Sequence, residues 1–251
     1  MKGLTTKNLK YIFYLDILGF KNLINERNPD DIYNIVEKCL EIYYSWEKHN
    51  DLFSTIYFSD TIIFYQMKEE YINTAFLDIY GIAGIIYTKL LAEGIPARGA
   101  ITFGEFYTKY DRKGRNNIFF GNALIEAHEL EKKEWIGITI SHSAYKNIDN
   151  NMIEAFINEN VFERQNENLL LNPFCQIRSL HSYESIYDLD RDMLLTELKA
   201  IKYLIDKKVE YNLRNTSSRE YIKYFNTVNF LERIIEDYKL ALVKKLITEL
   251  I

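Results

Sequence analysis

Tyr11-Ile12-Phe13-Tyr14-Leu15-Asp16-Ile17 is a run of β-forming residues, apolar at nearly every position, with a single acid near its end. A half-exposed strand alternates apolar and polar side chains, so this continuous run predicts a strand buried on both faces. Downstream, Asn28-Pro29-Asp30-Asp31 supplies an N-cap, a proline at the first helical position and acids in the first turn. Ile32, Ile35, Val36, Leu40, Tyr43 and Trp46 then recur at helical spacing. Phe53 to Phe58 and Thr61 to Tyr65 are β-rich runs separated only by Ser59 and Asp60, the pattern of a tight hairpin with an acid at its tip. A helix follows from about Asn73 to Leu91, apolar nearly all round and closed by Gly94 and Pro96.

Ala97 to Phe103 reads as a strand, and the charged turn Asp111 to Arg115 separates its continuation from a short run, Asn117 to Phe120. Gly121 opens a helix to about Lys133, and Trp135 to Ser141 forms a further strand. The order β-α-ββ-α-β-β-α-β contains a strand–helix–hairpin–helix–strand unit. The expected fold class is therefore α+β, a ferredoxin-like antiparallel sheet with packed helices. From about Asn172 the character changes to two long helices, Leu189 to Leu213 and Ser217 to Leu250, with Ser217 and Glu220 spaced as a capping box. Phe225, Val228, Leu231, Ile235, Leu242, Leu246 and Leu250 mark one apolar face of the second. The expected organisation is a main domain over 8–172 and a C-terminal helical extension over 173–251. The extension's role, as dimer contact, active-site cover or effector surface, stays open.

Composition narrows the function classes. The chain has 251 residues, 47% hydrophobic, enough to bury a real core. A net charge of −5 without a long basic run gives no electrostatic footprint for nucleic acid. The 20 tyrosines accompany abundant Ile, Asn, Lys and Glu, which is more simply a codon-bias signature than a stacking role. Cys39 and Cys175 belong to no metal-like spacing and read as free thiols in a reducing compartment. The polar, basic N-terminus is not a secretory signal, and the apolar stretch Ile79 to Leu91 is shorter than a bilayer requires. A cytoplasmic protein without a membrane or nucleic-acid partner is expected.

Asp16 at the end of the buried strand and Asp60 at the hairpin tip are brought side by side by this topology. Two carboxylates in one partly apolar place repel each other, and divalent cations relieve that penalty. Spacing alone favours a plainer assignment, with Asp16 capping the next helix and Asp60 only forming the turn. The surrounding residues add weight to the metal reading. Asp16-Ile-Leu-Gly-Phe20, Phe58-Ser-Asp-Thr-Ile-Ile-Phe64, Arg98-Gly-Ala-Ile-Thr-Phe-Gly-Glu105 and Gly121-Asn-Ala-Leu-Ile-Glu-Ala-His-Glu-Leu-Glu131 occur in that order. The series resembles the class III adenylyl and guanylyl cyclase domain over roughly residues 8 to 145.

The resemblance implies the class III cyclase fold and two divalent metal ions, Mn²⁺ or Mg²⁺, held by Asp16, Asp60 and the backbone carbonyl of Ile17. It implies that the turn at Gly19 and Phe20, with Ser59 in the hairpin, meets the triphosphate of a nucleoside triphosphate substrate. Arg98 matches a strand arginine that neutralises the terminal phosphates; its alternative is a surface arginine paired with an acid. The active site of this family forms between protomers, which implies a homodimer.

The departures are specific. Ile56 and Ile118 occupy the positions of the purine-reading lysine and acid, and neither can hydrogen-bond a base. Ile125 and Glu129 replace the transition-state Asn and Arg on the helix, so another cation must serve there or turnover is poor. Lys109, Arg112, Lys113 and Arg115 are candidates, although a solvated turn fits the last three. The chain is more similar to the pyrimidine cyclases of the bacterial Pycsar antiphage system, in which an aromatic residue near the hairpin contacts the smaller base. Tyr57 is the match, with Phe58 the alternative, and strand register decides between them. This implies synthesis of cyclic CMP or cyclic UMP from CTP or UTP in antiphage defence, read by a separate cyclic-nucleotide effector. An atypical purine cyclase and a cyclase-like pseudoenzyme are the rivals. His128 reads as a surface histidine.

Overall fold

Why the run around Asp16 is apolar throughout becomes clear from where it sits. The computed structural model describes residues 8–45, 52–67, 72–110, 117–132, 135–180, 189–214, 219–235 and 237–251. Strand β1 (Leu9–Ile17) leads through α1 (Phe20–Glu26) and α2 (Pro29–Ser45) to the hairpin β2 (Phe53–Phe58) and β3 (Thr61–Gln66). Helix α3 (Ile72–Ala92) returns the chain to β4 (Ala97–Glu105). These four strands lie in the order β2-β3-β1-β4 with every neighbouring pair antiparallel, the ferredoxin-like plan expected from the sequence. Asn28 caps α2 as read, its side chain accepting the Asp30 N–H at 3.1 Å.

β1 is central and covered twice. Tyr11, Phe13, Leu15 and Ile17 enter the main core with α2 and α3, whereas Ile12 and Tyr14 enter a second, smaller core. That second core closes beneath α4 (Asn122–Glu131), which follows the two-stranded ribbon β5 (Tyr107–Tyr110) and β6 (Asn117–Phe120). The sheet then grows past β4 with β7 (Ile138–Ile140), α5 (His142–Tyr145), α6 (Asn150–Asn158) and the hairpin β8 (Phe162–Gln165) and β9 (Asn168–Leu171). The result is a seven-stranded, mostly antiparallel sheet, order β2-β3-β1-β4-β7-β9-β8, in which β4 and β7 run parallel. Nothing in the sequence reading anticipated the elements between 142 and 171, where Asp149 caps α6 and Asn166, at φ 55°, turns the hairpin.

Several expectations need correction. The strand expected from Trp135 to Ser141 is confined to Ile138–Ile140, because the Trp135 ring folds over Gly137, where an added Cβ would lie 2.5 Å from it. The helix expected from about Asn73 to Leu91 is present as α3, but its apolar stretch is longer than Ile79 to Leu91: Thr74–Ala92 is long and apolar enough, by length and composition, to cross a membrane. Here most of that stretch is buried inside the protein, against the sheet and α8 (Arg191–Arg214). The second C-terminal helix is two helices, α9 (Arg219–Ile234) and α10 (Asp237–Leu250). Phe225 and Leu250, expected on the apolar face, are exposed; Tyr224 is buried instead. Trp46, Asp111 to Asn116 and Ser217 lie outside the described residues.

The extension shares the main core. Leu194, Leu198, Ile201 and Leu204 of α8 and Val228, Phe230 and Leu231 of α9 join the same apolar cluster as the main-core face of β1. Glu197 of α8 is fully buried and accepts the N–H groups of Gln176 at 3.0 Å and Ile177 at 2.8 Å, capping α7 (Cys175–Arg178). Burial pushes its carboxyl up to about 7 from 4.5, against these hydrogen bonds. Between those values the folded protein keeps a proton that the unfolded chain releases, so this contribution to stability falls as pH rises through the window. In urea unfolding, the stability of the parent relative to Glu197→Gln should fall by about 2–3 kcal/mol between about pH 5 and pH 8, since the amide does not titrate.

Candidate active site

The hairpin tip lies directly against the end of β1. Asp16 is paired in register with Thr61 on one side and Arg98 on the other. One residue on, the Ile17 N–H donates to the Asp60 carbonyl at 2.8 Å. Ser59, in the two-residue loop, holds φ at 53°, a left-handed conformation that few side-chain-bearing residues adopt. Gly19, at φ 68°, forms the turn that opens α1. The structure therefore brings Asp16, Ile17, Ser59, Asp60 and Arg98 together at one end of the sheet, with the Gly19–Phe20 turn following on from the strand.

Arg98 is the hub of this end. Its Nε reaches Asp16 Oδ2 at 3.2 Å and Glu131 Oε2, at the end of α4, at 2.5 Å. The side chains are 14%, 17% and 4% exposed for Arg98, Asp16 and Glu131, so this is a shielded cluster and not the surface pair considered from sequence. Burial raises the pKa of Asp16, Arg98 opposes that rise, and Asp60 adds to it. Glu131 behaves alike: burial raises it, Arg98 opposes, Asp16 adds. Behind the acids, the Tyr14 hydroxyl makes long contacts to Thr61 Oγ1 (3.4 Å) and His128 Nδ1 (3.5 Å). His128 Nδ1 lies 3.6 Å from Glu131 Oε1, so this half-exposed histidine borders the cluster.

Register separates the two aromatic candidates. Phe58 pairs with Thr61, which shares the α4 side of the sheet with Asp16, whereas Tyr57 pairs with Ile62 of the main-core side. Phe58 also lies 5.8 Å from the Phe119 ring. Ile56, at the place of a purine-reading lysine, is buried in the second core. On α4 the inward positions are Ala123, Ala127 and Glu131; Ile125 and Glu129 lie on the opposite, exposed side and do not join their own chain's acid cluster. Ile118 and Lys109 are exposed on the ribbon, and Arg112, Lys113 and Arg115 lie outside the described residues.

The sequence reading missed Glu131 as a member of the site and Lys223 as a charge coupled to it. Glu131 continues the inward Ala123–Ala127 stripe by one more turn, a signal that helical spacing carries. Lys223 is coupled electrostatically to Asp16, Glu131 and Arg98 from α9, and no local pattern marks it.

Among the described residues, no three His, Cys, Asp or Glu side chains surround a common point as a self-sufficient metal site. Two hard carboxylates with a neighbouring backbone carbonyl fit Mg²⁺ or Mn²⁺, which take one or two carboxylates and complete their shell with water and substrate phosphate. They do not fit a structural zinc site.

No family model matches this sequence, and no curated protein does. Among solved structures, the chain is similar to the adenylyl cyclase CyaB from P. aeruginosa, at 15% identity and TM-score 0.46, over 64% of this chain and 91% of that one. It is similar to the guanylate cyclase domain of RhGC from Catenaria anguillulae in complex with GTP, at 14% identity and TM-score 0.48, over 65% and 94%. The monomeric guanylyl cyclase domain of the RhoGC fusion protein from Blastocladiella emersonii gives 14% and 0.49, over 65% and 94%.

Removing the hub leaves two shielded acids without their shared cation. Arg98→Ala should cost about 3 kcal/mol of stability near pH 8. The cost should shrink toward pH 5, because Asp16 and Glu131, with pKa values raised further, take up protons there. Urea unfolding at both pH values checks this.

Proposed function

We propose that the chain is a metal-dependent nucleotide cyclase that converts a pyrimidine nucleoside triphosphate, CTP or UTP, to the 3′,5′-cyclic monophosphate and pyrophosphate. The observation that carries this reading is the seating of the Asp60 hairpin tip against the end of β1, beside Asp16. Asp16 and Asp60, with the Ile17 carbonyl, would hold the metal ions. When bound, two divalent ions supply acidification of the ribose 3′-hydroxyl and charge neutralisation on the departing pyrophosphate.

The chain's own groups do the remaining work. Arg98 spends its Nε on Asp16 and Glu131, and its terminal guanidinium nitrogens have no protein partner among the described residues. That leaves a fork of donors for the phosphates, held in place by the two acids. The turn at Gly19 and Phe20 offers N–H groups at the start of α1, although at seven residues its dipole is small. Phe58 presents a flat apolar ring on the Asp16 side, suited to stacking on a base without a hydrogen-bond code. Ile56 and Ile118 give no purine-reading partner, which favours a pyrimidine.

Exposed Phe58, Ile118, Phe120 and Ile125 form apolar surface around the ribbon, the hairpin and α4. We read this as the face covered by a second copy in a homodimer. An effector that reads the cyclic product, and a role in antiphage defence, follow from the Pycsar resemblance alone. Two observations favour a second reading, a nucleotide-binding pseudoenzyme: Arg98 pairs with the candidate metal ligand Asp16, and Glu129 stands where an arginine is expected.

Purified protein incubated with Mn²⁺ and each of ATP, GTP, CTP and UTP should yield cyclic CMP or cyclic UMP by mass spectrometry. Asp60→Ala should lower the rate at least about 100-fold. No cyclic product from any of the four would end the cyclase reading in favour of the pseudoenzyme. With the preferred nucleotide, Phe58→Ala should raise KM about tenfold and Tyr57→Ala less; the reverse order would return base contact to Tyr57.

A further inference from the structure

The C-terminal extension reaches the acid cluster through a short chain of contacts. The Thr227 hydroxyl of α9 accepts the Ile136 N–H at 2.7 Å, and its proton is shared between the carbonyls of Lys223 at 2.9 Å and Ile136 at 3.1 Å. The next residue, Gly137, uses its carbonyl to accept the Gly99 N–H at 2.9 Å, beside Arg98. The Tyr87 hydroxyl also donates to the Ile136 carbonyl at 2.9 Å, fixing the segment from the α3 side. Helix α9 is thus anchored at the level of Arg98, and Lys223, one turn before Thr227, lies on the anchored face.

Lys223 is half-buried and makes no ion pair among the described residues. Its neighbours do not explain it as a structural lysine. Burial disfavours its charge, Arg98 and Arg219 oppose it further, and Glu220 and Asp16 compensate only in part. Asp16 and Glu131 feel it in turn. The same end of the sheet therefore gathers mutually repelling acids, Asp16 and Asp60, and mutually repelling cations, Arg98 and Lys223. A divalent cation carried by a polyphosphate relieves both repulsions together, whereas either alone relieves only one.

We propose that Lys223, delivered by α9 of the same chain, is a phosphate-binding residue of this site and supplies the positive charge that Glu129 does not. The ligand class is a metal-bound polyphosphate, and the C-terminal extension is part of the active site. The inference rests on the nucleoside triphosphate reading of the Asp16–Asp60 site.

Inorganic tripolyphosphate with Mn²⁺, titrated calorimetrically into the full chain, tests it without needing turnover or base recognition. Lys223→Ala should weaken binding about tenfold, Lys223→Arg should retain most of it, and Lys244→Ala, on the exposed side of α10, should change nothing. Thermal unfolding of each variant identifies any that fails to fold, in which case the Arg and Gln substitutions carry the comparison. Unchanged binding in folded Lys223→Ala or Lys223→Gln overturns the inference, as does parent protein that binds no tripolyphosphate. Cyclic product formed equally by parent and Lys223→Ala also overturns it while leaving the cyclase reading intact. Lys223-dependent binding without any cyclic product keeps the inference and removes the cyclase.

Discussion

Enclosure of β1 on both faces is the constraint from which the rest of the molecule follows. A strand with cores above and below can expose polar groups only at its ends, so a charged side chain belongs in its last turn of pleat, where Asp16 stands. The hydrogen bond from Ile17 to Asp60 then fixes the hairpin tip at the same level, and the register with β4 places Arg98 opposite. Chemistry-bearing residues converge because the strand has nowhere else to put them.

Electrostatics at that end is balanced without being relaxed. One guanidinium serves two shielded carboxylates, a third carboxylate lies at the adjacent turn, and a lysine from a distant helix is coupled to them electrostatically. Replacing such a group by an apolar pair is often neutral or favourable for stability, so its retention in a protein core asks for a reason beyond folding. Charge that is preorganised and incompletely compensated is the condition under which a site acts on an incoming charged ligand.

How much of this was legible depended on whether the signal was local. The βαββαβ core followed from apolar runs, a proline-initiated helix and a two-residue loop, each contained in a few consecutive residues. Ile125 and Glu129 could be flagged as departures, yet their outward direction required knowing that Ala123 and Ala127 face the sheet. The choice between Tyr57 and Phe58 turned on one residue of register, which pattern cannot fix when both neighbours are aromatic. Lys223 was invisible because the acid-cluster charges that it feels are about a hundred residues or more away in sequence, and a lysine on an exposed-looking helix is the commonest of surface residues.

Helix α3 carries a consequence for the order in which the chain acquires its structure. It is apolar nearly all round, and α8, which covers it on the side away from the sheet, begins about a hundred residues later. A nascent chain released only as far as β9 holds its sheet-facing contacts but leaves the other flank of α3 open to water. Such a chain presents a helix with the length and hydropathy of a membrane span. The extension is therefore a late-arriving shield, and the high sequence separation of that contact delays completion of the core until α8 has been synthesised.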